Sequence, residues 1–132
     1  MPNVDDCEIV RVFAQVPPST VSAEAIPDNK QFQIVVEAEA GTNLHGGGGD
    51  YNLSVVVTDV SAGVIVVNLN QSGKFGDANW PNPSLSFTFP PIPAQTAAKD
   101  DHIYQATSVV RARKKDPIVS FDESPPFVIT PP

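Results

Sequence analysis

Apolar and polar residues alternate along most of this chain with a period of two, in short runs bounded by Gly, Pro, Asn and Asp. That period puts successive side chains on opposite faces of an extended strand and marks half-buried β-structure. Seven strands are predicted. The first, 7–16, sets Val10, Val12, Ala14 and Val16 on one face, and Pro17-Pro18 ends it. The second, 31–40, turns Phe32, Ile34, Val36, Ala38 and Ala40 inward and Gln33, Glu37 and Glu39 outward. The third, 51–58, points Tyr51, Leu53, Val55 and Val57 inward, and the fourth follows at 64–69. In the fifth, 84–89, Leu85, Phe87 and Phe89 alternate with Ser84, Ser86 and Thr88. The sixth is 102–113. The seventh, 117–130, has Phe121, Phe127 and Ile129 as apolar anchors and is interrupted by Pro125-Pro126. Helical periodicity is confined to 19–29 and 94–100, each long enough for a turn or two. Many short strands without helices predict an all-β sandwich in which each sheet buries one face.

One short motif sharpens that expectation. The segment Lys99-Asp100-Asp101-His102-Ile103-Tyr104-Gln105-Ala106 resembles the tyrosine corner of immunoglobulin-like domains, with Tyr104 in the corner position and Ala106 where the second cysteine of antibody domains stands. The second strand offers Val36 or Ala38 for the first cysteine, and the third offers Tyr51 or Leu53 for the packing Trp, so the disulfide framework is missing. The pattern is similar to fibronectin type III and other disulfide-free sandwiches. The resemblance implies a single immunoglobulin-like β-sandwich of about seven antiparallel strands spanning 1–132. Strands two and five and the first part of strand one would form one sheet, and strands three, four, six and seven the other. The fold itself names no function.

Length agrees with one domain, since 132 residues are enough for one core without staples. The net charge of -7 repels phosphate backbones and argues against a nucleic-acid partner. Cys7 is the only cysteine, so no internal disulfide forms. The N-terminus lacks the basic and apolar regions of a secretory signal, and no apolar run is long enough to span a bilayer. These features favour a cytoplasmic chain without a membrane partner.

Catalytic chemistry finds little support. His45 followed by Gly46 to Gly49 is similar to the Gly-rich oxyanion loop of some esterases, but no Gly-x-Ser-x-Gly accompanies it, and a flexible glycine loop is the simpler expectation. The acidic pairs Asp5-Asp6, Asp100-Asp101 and Asp122-Glu123 fit no calcium loop, and two histidines with one cysteine make no zinc signature, so neither metal nor cofactor is expected.

Strand direction gathers three loops at one end of the sandwich: 41–50, 70–83 and 114–117. They carry the candidate binding residues Trp80, Phe75, His45, Asp50, Lys114 and Lys115. Trp80 sits in a polar loop, either as a recognition ring or as a plug over the end of the core. Arg111 and Arg113 alternate outward on strand six, and Glu37 and Glu39 on strand two, which makes one outer face basic and the other acidic. Pro17-Pro18 and Pro125-Pro126 are placed to discourage assembly through strand edges. The expected function is non-catalytic protein recognition or self-association. The alternative is carbohydrate binding on exposed rings, for which Trp80, Tyr51 and Phe75 are available.

Overall fold

A computed structural model describes residues 4–94, 102–113 and 117–131. The elements are β1 (Cys7–Gln15), β2 (Ala25–Pro27), β3 (Gln31–Ala40), α1 (Thr42–Gly46), β4 (Asp50–Asp59), β5 (Val64–Lys74), β6 (Ser84–Thr88), β7 (Ile92–Pro93), β8 (Ile103–Ala112), β9 (Ile118–Glu123) and β10 (Phe127–Thr130). One sheet has the order β1-β3-β6, with β7 beside β3. The other runs β2-β10-β8-β4-β5, with β9 also on β8. Among the described residues all strand pairings are antiparallel except β2 with β10. The two sheets enclose the core of a β-sandwich, and the division of the long strands between them is the expected one.

Alternation predicts the core well where a strand is unbroken. On β3, Phe32, Ile34, Val36, Ala38 and Ala40 are buried. On β4, Tyr51, Leu53, Val55 and Val57 are buried against Ala106, Val110 and Ala112 of β8. Two of these expectations need correction. Val10 is exposed, because the register slips between Ile9 and Arg11. The bulge inserts one residue, so Cys7 and Ile9 face the core before it and Val12 and Ala14 after it. Phe121 is 68% exposed, not an anchor. The break at residues 124–126 splits the seventh strand into β9 and β10, and the odd positions turn outward in β9 but inward, as Phe127 and Ile129, in β10. Ser124 stitches the break: its N–H donates to Ala106 O at 2.7 Å, and its hydroxyl accepts from Ala106 N at 2.9 Å.

Segment 19–29 contains the short strand β2 in place of a helix. The other suggested helical segment, 94–100, lies outside the described residues beyond Ala94. Helix forms in the glycine loop, where α1 is held on residues before β1: Asn43 and Leu44 donate to Val4 O, and Gly41 to Asp6 O. Leu44 is buried beneath it, so this loop is anchored. Tyr104 is fully buried and stacks on Phe127 at 6.0 Å. The corner turn that precedes it, 95–101, lies outside the described residues.

Candidate functional site

The loops 41–50 and 70–83 do meet at one end, but their aromatic rings point into the molecule. Trp80 is wholly buried and meets the edges of Tyr51 at 4.9 Å and Phe75 at 5.0 Å. Its Nε1–H donates to Pro83 O at 3.3 Å. Phe75 is buried too. His45 approaches Trp80 O through Nε2 at 2.9 Å; since a carbonyl only accepts, that nitrogen carries the proton. These three residues close the end of the sandwich, and Trp80 and Phe75 present no surface to a partner. Lys114 and Lys115 lie outside the described residues.

Asp77 organises the plug. Its carboxylate accepts from the backbone N–H groups of Trp80 and Asn79, both at 2.9 Å, from that of Lys74 at 3.2 Å, and from the Tyr51 hydroxyl at 3.3 Å. Desolvation pushes its pKa up, but the three backbone donors and Tyr51 outweigh this and hold it below the usual carboxylate range. At the opposite end, Asp59 Oδ2 lies 2.7 Å from His102 Nδ1, and Oδ1 accepts from Ala62 N at 3.0 Å. Desolvation again raises this carboxyl, and the His102 and backbone hydrogen bonds again lower it further. Both folded pKa values thus lie below the ordinary value of 3.8. Their stabilisation is complete above that value and is lost as pH falls through the folded values. The contribution of these two carboxylates to stability should therefore be lost as pH falls below about 4. The resulting drop in denaturation midpoint should be shallower in Asp77→Asn, and an identical acid slope in that variant would remove Asp77 from the account.

What remains exposed is the outer face of the six-stranded sheet. The predicted fourth strand continues to Lys74, five residues past its expected end, because 70–74 stay in register with Asp50–Ser54 of β4. That extension sets Ser72 opposite Asn52 and Lys74 opposite Asp50. On the other side of β4, Asn52 faces Arg111, and Arg111 in turn faces Val119 of β9. Residues directly opposite across a ladder share a face. The result is a groove of about 510 Å³ lined by Asp50, Tyr51, Asn52, Ser72, Gly73, Lys74, Arg111 and Arg113. Lys74 Nζ pairs with Asp50 Oδ1 at 3.2 Å. Arg113 has a left-handed backbone (φ 66°), and its N–H is tied to Asp50 O at 2.9 Å. Beside the groove, Phe121 and Val119 are 68% and 58% exposed on the same face. Of the expected site residues among those described, Asp50 alone lines this groove. Arg111 and Arg113 were legible as an outward pair. Asn52, Ser72, Lys74 and Phe121 needed the register to join them.

On the opposite sheet, Arg11 bridges Glu37 at 3.5 Å and lies over the Phe13 ring at 4.1 Å, so that outer face carries its own cation. No group of His, Cys, Asp and Glu able to hold a metal occurs among the described residues. Burial, with Glu8 and Asp6 nearby, pushes the Cys7 thiol up to about 12, which keeps it protonated and unreactive. No helix among the described residues is long and apolar enough to cross a membrane.

No protein-family model and no curated protein sequence matches the chain. Solved structures do. The C-terminal domain of wzt superposes with a TM-score of 0.62 over 94% of this chain and 73% of its own, at 11% identity. The chain is a β-sandwich. A β-glucuronidase 2 of Bacteroides uniformis, covalently bound to cyclophellitol-6-carboxylate aziridine, matches with a TM-score of 0.58 over 89% of this chain at 10% identity. A second B. uniformis β-glucuronidase structure gives 0.55 at 11% identity. The chain spans only 14% of either enzyme. At such identities the likeness is one of fold.

Proposed function

We propose that this chain is a non-catalytic recognition module that meets an acidic segment of a protein partner on the outer face of its six-stranded sheet. The observation that carries this reading is the grouping, on one exposed face of an acidic protein, of Lys74, Arg111 and Arg113 around a groove with Phe121 and Val119 beside it. Arginine and aromatic side chains are the residues that concentrate binding energy at interfaces, and a guanidinium receives a carboxylate in a bidentate fork. The strand order, β1-β3-β6 against β5-β4-β8-β9/β10, supports a fibronectin type III-like assignment.

A second reading, an anionic saccharide, rests on the hydroxyl and amide groups of Ser72 and Asn52 beside the arginines. Sugar stacking on Trp80, Tyr51 and Phe75 is set aside, because all three rings are buried. Titrating the ¹⁵N-labelled chain with a Glu/Leu peptide and, separately, with an oligogalacturonate distinguishes the two. The expected result is peptide-induced shifts at Asn52, Ser72, Arg111, Val119 and Phe121 that weaken with salt and vanish in Arg111→Glu/Arg113→Glu. Shifts produced by the saccharide alone would favour the second reading. Peptide shifts confined to other surfaces would overturn the first.

A further inference from the structure

Both sheets have edges, and an unpaired edge strand offers a row of N–H and C=O groups to any extended chain. Most edges here are blunted. β1 and β9 lie against each other across one flank, where Ile9 N–H donates to Ser120 Oγ at 3.2 Å. β2 has three residues and ends on Pro27. β6 has five, with Pro83 before it and Pro90-Pro91 after it. β7 is two residues, one of them Pro93.

β5 is different. It is the outermost strand of the larger sheet and, at eleven residues, the longest strand among those described. It contains no proline and no acidic residue, and its one charge, Lys74, is at the end. Its only irregularity, the bulge where Val57 and Thr58 pair with Val67 and Ile65, lies near its start and leaves Val67 to Lys74 regular. Away from β4, the described backbone hydrogen bonds to β5 come from Gln71 Nε2 at Ser72 O and from the Asp77 turn at Lys74. Val64 and Ile65 are 50% and 63% exposed, and Val66, Val67 and Leu69 are only partly covered by the core. The sequence of an edge that must stay single carries Pro, inward charges or several Lys. This one carries none of these over most of its length.

We propose that β5 is a self-association edge, on which β5 of a second copy pairs antiparallel about a two-fold axis and joins the two six-stranded sheets into one. Three features select a second copy as the occupant. A two-fold operation presents the same edge on both sides, so the Val67–Leu69 stretch of each copy lies in one shared seam. Antiparallel pairing in a parity-keeping register sets the outward Asn68, Asn70 and Ser72 against one another and the inward Val67 and Leu69 against inward positions. Charge removes the chief objection: two copies of net charge -7 repel overall, but β5 brings no carboxylate into contact with its mate. Phe121, on β9 at the side of the sheet away from β5, lies clear of such a seam.

Analytical ultracentrifugation of the intact chain tests this. The expected mass across the micromolar range is twice 14.0 kDa. The Asn68→Lys/Asn70→Lys variant, which sets four lysines along the shared edge, should sediment as a monomer that keeps the wild-type circular dichroism spectrum. As a check independent of that variant, single cysteines scanned from Val67 to Gln71 should include one that cross-links the dimer under oxidant, with the buried Cys7 silent. A monomeric wild-type chain would overturn the proposal. So would a dimer that the two lysines leave intact and that no β5 cysteine cross-links.

Discussion

Replacing Trp80 by alanine is expected to destabilise the fold by about 3–5 kcal/mol, the range for emptying a large aromatic site in a core. The ring is wholly buried, packs edge-on against Tyr51 and Phe75, and donates to Pro83 O. Its removal leaves a cavity between β4 and the 75–83 turn and takes one ring contact from each of Tyr51 and Phe75. Urea denaturation followed by circular dichroism measures the loss, since the variant has no other tryptophan to report by fluorescence. A cost under about 1 kcal/mol would mean that Trp80 is not the plug described here.

The second large effect is expected at Gly73. A Cβ built there collides with the Asp77 carboxylate and comes to 3.0 Å from the Tyr51 hydroxyl. Gly73→Val must therefore push Asp77 off the N–H groups of Lys74, Asn79 and Trp80. Overpacking combined with freed backbone donors puts the cost at about 2–3 kcal/mol. The mechanism predicts coupling: in an Asp77→Ala background, Gly73→Ala should cost distinctly less than in the wild type, because the colliding group is gone. Additive losses in that cycle would show that Asp77 is not what Gly73 makes room for.

These two residues also explain why the site was hard to read. Trp80 stands among Asp77, Asn79, Pro81 and Asn82, and nothing local reveals that the turn folds back: Asp77 N donates to Lys74 O, and Gly76 N to Trp80 O. A polar turn with a ring at its end looks the same in sequence whether the ring faces water or core. Gly73 read as a loop residue because Asn70, Gln71, Ser72 and Gly73 lack strand-forming side chains. Pairing with β4 supplied what their propensity did not. The outward pair Arg111 and Arg113 was visible from alternation, but alternation says nothing of which strands lie alongside.

The sequence by itself determined the class of fold and the inward faces of β3 and β4, while the division of the long strands between the two sheets came from the resemblance to immunoglobulin-like domains. Hydrophobic period is a local property, and no extra residue interrupts β3 or β4 over ten residues each. Only the tertiary structure decided the inward faces of β1 and β9, where a single extra residue or a proline break reverses every side chain beyond it. It also decided the candidate site, because the groove exists only through the register that aligns Lys74 with Asp50, Ser72 with Asn52 and Asn52 with Arg111. Register is fixed by contacts between strands far apart in the chain, and no single strand's sequence contains it.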